Sequence, residues 1–307
     1  MSEYEIFIPK TLNSDYSNLC ELYQQVNNIL FNLTAHDEVI FNFEKIRWIN
    51  AEMTAFLGMI FSAVNAKGAF VYAKVENLSL KSKEILLKNG FLKNFGIDHD
   101  LEDIYGTTIP FFRSSIKEIE KIDEYIDEDL LKHIRNKTSE EFLGEIKESL
   151  LEVIHNVRDH SQSEVIYMCG QHYPRKPEGT NYGTISFAIS DNGIGLIENI
   201  KSKNHNFPNV KKYFDWAFDK GNSTKSRYDS GIGLYELRKK LHGKGEITVV
   251  ANNGYHRIDS FGTVDSGEFS FNIPGTFVVI KFFLDNCQKS NLSDTMDLSG
   301  LLNEWFV

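Results

Sequence analysis

Apolar and polar positions change period several times along this chain, and the changes mark its elements. Tyr4 to Pro9 reads as a short strand. Ser14 or Asp15 can cap a helix, and Leu19, Leu22, Tyr23, Val26, Ile29 and Leu30 carry it to about Phe31. Glu38 to Phe43 alternates as a strand. Asn50 can cap a second helix through Met53, Phe56, Leu57, Ile60, Phe61 and Val64, which Gly68 ends. Ala69 to Val75 returns as a strand, and a third helix, Ser82 to Asn89, stops at Gly90. Strands alternating with helices of this length imply a sheet with helices packed on it.

After about residue 98 the pattern changes. Asp98 to Asp103 is acidic and Gly106 to Pro110 breaks regular structure. Ile116, Ile119, Ile122, Ile126, Leu130 and Ile134 then follow a helical period among many charges, which predicts a solvated helix with one apolar stripe, the alternative being a helix packed between domains or against a second copy. Thr138-Ser139-Glu140-Glu141 is a capping box that opens a long helix with Phe142, Leu143, Ile146, Leu150, Val153, Ile154 and Val157 on its apolar face. Glu148, Glu152, Asn156 and Asp159 form the opposite stripe. Strands are predicted at Glu164 to Gln171 and Thr184 to Ser190, helices at Lys211 to Phe218 and Leu234 to Leu241, and strands at Glu246 to Ala251 and Thr276 to Leu284. A variable, hairpin-like segment separates the last two.

Composition narrows the class. A chain of 307 residues allows two domains. Its formal net charge of −10 argues against a duplex DNA binder, whose affinity comes largely from phosphate neutralisation by Lys and Arg. Cys20, Cys169 and Cys287 match no metal or disulfide spacing and read as small apolar residues in a reducing compartment. Met1 to Glu5 has no basic region before an apolar core, and the most apolar run, Met53 to Val64, is too short for a bilayer. A soluble cytoplasmic protein with no membrane and no nucleic-acid partner is the expectation.

Candidate chemistry lies in the second half. Glu152 and Asn156 are four apart and share one helix face. A strand runs into Asp191-Asn192-Gly193-Ile194-Gly195. A polar stretch, Asp219 to Ser230, leads to Gly231-Ile232-Gly233-Leu234 at a helix start, and Gly275-Thr276 precedes a late strand. Each signal alone is common. As an ordered set over residues 138 to 285 they resemble the GHKL ATPases, the Bergerat-fold family of gyrase, histidine kinases, mismatch-repair ATPases and anti-sigma serine kinases.

That resemblance implies ATP and Mg²⁺ as cofactors. It assigns Asn156 to the metal, as a hard oxygen ligand to a cation that bridges phosphates. It places Glu152 as the catalytic carboxylate, acting on water in an ATPase or on a substrate hydroxyl in a serine/threonine kinase. Asp191 would accept from the adenine amino group, and Thr276 would help fix adenine through water. Gly193 and Gly195 would let the backbone pass close to the base. Gly231, Gly233 and the helix start at Leu234 would hold phosphate oxygens. Lys225 would neutralise phosphate charge, and Asp159 and His160 would lie at the pocket edge. His155, inside the Asn box, reads as a packing or helix-surface residue, and no phosphoacceptor helix pair is visible.

The first 98 residues resemble the STAS fold of anti-sigma factor antagonists, through Val39-Ile40-Phe41-Asn42-Phe43, Ile46-Arg47-Trp48-Ile49-Asn50-Ala51, the helix to Val64 and Phe70-Val71-Tyr72-Ala73. Where that family offers Asp then Ser, this chain has Asn50-Ala51-Glu52, with Thr54 the nearest hydroxyl. A docking or regulatory module without the acceptor role is implied. The expected organisation is therefore α/β and α+β. It comprises a STAS-like domain (1–98), a helical connector (99–137), a Bergerat-fold sandwich with a mixed sheet and helices on one face (138–287), and a tail (288–307). An ATP-dependent lid controlling a protein partner or substrate is the leading functional expectation, with a homodimer one arrangement open to it. ATPase, protein kinase and non-enzymatic ATP-gated module all remain open.

Overall fold

The computed structural model describes residues 1–97, 101–135, 139–174, 183–222 and 233–284. The class is mixed α/β. In chain order the elements are β1 (Glu3–Phe7), β2 (Thr11–Leu12), α1 (Tyr16–Leu30), β3 (Glu38–Asn42), β4 (Trp48–Ile49), α2 (Met53–Asn65), β5 (Phe70–Lys74), α3 (Leu80–Lys88), β6 (Thr108–Ser115), α4 (Ile119–Tyr125), α5 (Glu140–His160), β7 (Val165–Tyr173), β8 (Thr184–Asp191), α6 (Leu196–Ser202), α7 (Val210–Ala217), α8 (Gly233–Leu241), β9 (Gly245–Ile258) and β10 (Val264–Phe283). Three sheets form: β1-β3-β5 and β2-β4, both parallel, and the five-stranded β6-β7-β8-β10-β9.

The larger sheet, expected to be mixed, is antiparallel at all four of its pairings. The short connection between β9 and β10 favours that direction there. Helices were expected on one face only. One face does carry α5, α6, α7 and α8 over a core that includes Phe187, Ile189, Val249 and Val278. The opposite face is covered too, by α1 and α2 from the N-terminal segment, in a second core with Tyr167, Cys169, Ala188, Val250, Phe277 and Val279. The layers therefore run small sheet, helix pair, large sheet, helix layer.

α2 explains the arrangement. Its residues from Met53 to Phe61 are all buried, so it is apolar around its whole circumference rather than along one stripe. It touches β5 on one side and β7, β8 and β10 on the other. At Gly58 the packing is close enough that an added Cβ would lie 2.6 Å from Tyr167 Cδ1. Polar ties fix its position along the strands. The Ser190 hydroxyl donates to the Ala55 carbonyl at 2.7 Å, and the fully buried Glu52 accepts from Ser186 at 2.7 Å and from the Tyr173 hydroxyl at 3.2 Å. Thr54, the candidate hydroxyl of this segment, is buried and donates to the Ala51 carbonyl at 2.8 Å.

Several elements differ from expectation. The region 99–137, expected as a helical connector, contributes β6 as an edge strand of the large sheet. The isoleucine stripe is not solvated: Ile116, Ile122, Ile126, Leu130 and Ile134 are buried in the α5-side core, across α4, a π-helical turn at Ile126–Leu130 and a 3₁₀ turn at Leu131–His133. Asn50 does not cap α2; a turn intervenes, and its carbonyl accepts from the Met53 N–H at 3.0 Å. The cap of α5 is Ser139, whose hydroxyl accepts from the Phe142 N–H at 3.2 Å. β9 and β10 extend through the segment expected to be variable, with register shifts between Glu268 and Ile273 and between Ile273 and Thr276.

With α2 packed between the small and the large sheet in one core, the chain should unfold in one calorimetric transition. Gly58→Val should lower that transition by about 1–3 kcal/mol through overpacking against Tyr167. Two separate transitions in the wild type would contradict a shared core.

Candidate functional site

α5 sets one wall of a cleft. Its buried stripe from Phe142 to Val157 fixes its rotation about its own axis. That rotation turns Glu152, Val153, Asn156, Val157 and His160 toward a cleft. Asp191, Gly195, Leu196, Trp216, Leu234 and Thr276 also line it, so α5, β8, α6, α7, α8 and β10 all contribute.

The floor follows from strand alternation. On β8, Ile185, Phe187 and Ile189 face the α5-side core, so Asp191 points the same way, at the strand end. Thr276 is its direct cross-strand partner on β10. Asp191 is fully buried. Its Oδ1 accepts from the Gly193 N–H at 2.8 Å, while its Oδ2 is buried without a hydrogen-bond partner. Burial pushes this carboxyl up to about 7, against the opposing pull of the Gly193 N–H, the Ser161 side chain and the Thr276 N–H.

The turn after Asp191 is tightly built. The Ile194 N–H donates to the Ser161 carbonyl, the last residue of the α5 wall, at 2.7 Å. A Cβ at Gly193 would lie 1.9 Å from that carbonyl oxygen, so glycine is required by close approach. Gly195 has φ of 83° and begins α6 without a side chain to cap it. The Thr276 hydroxyl oxygen instead accepts from the Leu196 N–H at 3.1 Å, which leaves its proton available to donate into the cleft.

The structure thus gathers Glu152, Asn156, Asp191, Gly195, Leu234 and Thr276 around one space. Gly193 supports the turn rather than lining the cleft. Asp159 is a correction: it is absent from the cleft lining and is exposed, paired with Arg158 Nε at 2.8 Å. At 3.6 residues per turn it lies about 60° around α5 from Asn156, on the side away from Val153 and Val157. His160 takes the edge position. Lys225 and Gly231 lie outside the described residues, and Gly233 is the first residue of α8.

Sequence reasoning missed α6, the apolar wall of Leu196, Ile200, Val249 and Val278, the rim residue Trp216, and Asn252 behind the turn. Asn252 carried a usable signal, since Asn-Asn-Gly interrupts an apolar run and Asn is tolerated at positive φ. Among the described residues, no group of three or more His, Cys, Asp or Glu is placed to hold a metal ion. No described helix is long and apolar enough to cross a membrane. The sequence matches no protein-family model and no curated protein.

Asp191 generates a pH prediction. Between its unfolded value of about 4 and its folded value of about 7, the folded state holds a proton that the unfolded state has released. Its contribution therefore falls as pH rises through that window. Asp191→Asn should be stabilising relative to wild type at pH 8, on the order of a few kcal/mol, and near neutral at pH 4. A difference between the two proteins that stays constant from pH 4 to 8 in thermal melts would refute the assignment.

Proposed function

We propose that this chain is an ATP-binding regulatory protein of the GHKL type, with the cleft holding Mg-ATP. One observation carries the reading. The residues that the four motifs single out, Glu152, Asn156, Asp191, Leu234 and Thr276, come from distant segments and converge on one cleft. Asp191 Oδ2 has no full hydrogen bond, although Ser161 and the Thr276 N–H lie near the same carboxyl, and the Thr276 hydroxyl is a donor beside it. Acceptor next to donor complements the amino group and ring nitrogen of adenine, and opposes the carbonyl and N–H edge of guanine. Val157, Leu196, Ile200 and Val278 supply apolar walls for a flat base.

The metal fits the same wall. Asn156 offers an amide oxygen and Glu152 a carboxylate, one turn apart on α5. Such a sparse set suits Mg²⁺, which is typically held by one or two protein oxygens together with substrate phosphates and water. The bound ion would neutralise phosphate charge. Glu152 is then positioned to take a proton from water or from a protein hydroxyl.

The regulatory half of the reading rests on α2. Asp191 faces the cleft, and its neighbours on either side face α2: Ser190 donates to the Ala55 carbonyl, and Asn192 Nδ2 donates to Ser62 Oγ at 2.7 Å. The N-terminal unit thus touches the back of the ligand-reading turn, and a protein partner bound to that unit would be coupled to occupancy of the cleft.

Titration calorimetry should show Mg-ATP binding by the wild type and at least about tenfold weaker binding by Asp191→Ala, since an unpaired buried polar contact is worth about that much. No affinity in the wild type, or full affinity in the variant, refutes the reading. Incubation with γ-labelled ATP then assigns Glu152. Label on protein marks a kinase and free phosphate an ATPase, each abolished in Glu152→Gln; neither product marks an ATP-gated binding module.

A further inference from the structure

We infer that Asn252 is a positioning residue that sets the shape of the Gly193–Gly195 turn, and through it the affinity of the cleft; this rests on the nucleotide-site reading. Asn252 lies on β9, is buried, and does not line the cleft. Simple alternation would point it away from the cleft, because Ala251 belongs to the α5-side core and Val250 to the α2-side core. Two features turn it back. Its φ is 56°, in the left-handed region, and the β10 partner strand shifts register opposite it, between Ile273 and Thr276. Such a bulge re-aims a side chain.

So turned, the Asn252 amide uses both ends. Nδ2 donates to the Ile194 carbonyl at 2.8 Å. Oδ1 accepts from the Ile197 N–H at 3.2 Å and the Glu198 N–H at 3.3 Å. One side chain therefore clamps the middle of the turn and serves the first turn of α6, which Gly195 leaves without a side-chain cap. Asn252 also fills the space behind Gly195, where an added Cβ would lie 2.4 Å from its Oδ1. Gly195 and Leu196, which do line the cleft, are held between these contacts and the Thr276 hydroxyl. Without the clamp the turn would have to be ordered by the ligand, and binding would weaken by that entropy.

Two variants separate this role from plain structural support. Asn252→Gly deletes the amide while keeping the left-handed conformation without strain. Asn252→Asp keeps both acceptor contacts to α6 and sets an oxygen against the Ile194 carbonyl. Mg-ATP affinity by calorimetry should fall about tenfold or more in both, as expected when ordering is transferred to the binding step. Amide exchange should accelerate at Ile197 and Glu198 in Asn252→Gly only, with the large sheet unchanged in both. Wild-type affinity in Asn252→Gly overturns the proposal. So does wild-type affinity in Asn252→Asp, which would reduce the residue to a helix cap, and so does faster exchange spread through the whole chain. If the wild type itself takes up no Mg-ATP, the nucleotide reading falls. The exchange at Ile197 and Glu198 then still shows whether Asn252 holds the turn, with unchanged rates in Asn252→Gly overturning that as well.

Discussion

Strand β8 has no solvent face, and most of the architecture follows from that constraint. From Ile185 to Asp191 every residue is buried, so side chains alternate between two cores rather than between core and water. A strand buried on both faces needs a cover on each. α5, which precedes it in the chain, and the helices that follow it cover one face. The other face requires α2, and α2 is apolar around its circumference because it has a sheet on either side. The polar atoms that this burial would strand are matched in pairs, Ser186 with Glu52 and Ser190 with the Ala55 carbonyl. Asp191 Oδ2, at the end of the same strand, is the conspicuous exception.

That exception is where physical chemistry separates support from function. Glu52 and Asp191 are both fully buried carboxylates. Glu52 accepts from Ser186, Tyr173 and Asn50 and behaves as a fixed part of the packing. Asp191 is held by the Gly193 N–H, with Ser161 and the Thr276 N–H also near its carboxyl, but its burial outweighs them and raises its proton affinity. A ligand that donates to it would favour the ionised form, so binding and proton release would be linked. Its neighbours Ser190 and Asn192 tie the same few residues to α2, so an event in the cleft lies one backbone thickness from the N-terminal unit.

Much of this was legible in local pattern. Helices with a strong apolar period and a nearby cap, such as α1 and α5, appear close to their predicted limits, because both signals lie within the segment itself. Glu152, Asn156, Asp191 and Thr276 were singled out through a family resemblance carried by motif order, and the structure brings them around one space. What escaped notice was written elsewhere in the chain. α6 begins at a glycine, and its N–H groups are served by Thr276 and Asn252, some 80 and 55 positions away. The isoleucine stripe after residue 115 looked solvated because its neighbours are charged, yet its apolar side lies against α5. Asp159 shared the polar stripe of Glu152 and Asn156, and only the rotation set by the core shows that it faces outward.

The way α6 is capped also fixes a direction. A helix start usually presents free N–H groups, and an anion settles there readily. Here Leu196, Ile197 and Glu198 have already given their N–H groups to side chains from the sheet. This end of the cleft is therefore neutralised against phosphate and suited to an uncharged ring. On the proposed reading, a nucleotide would enter with its base toward α6 and its charged end toward Asn156 and the start of α8.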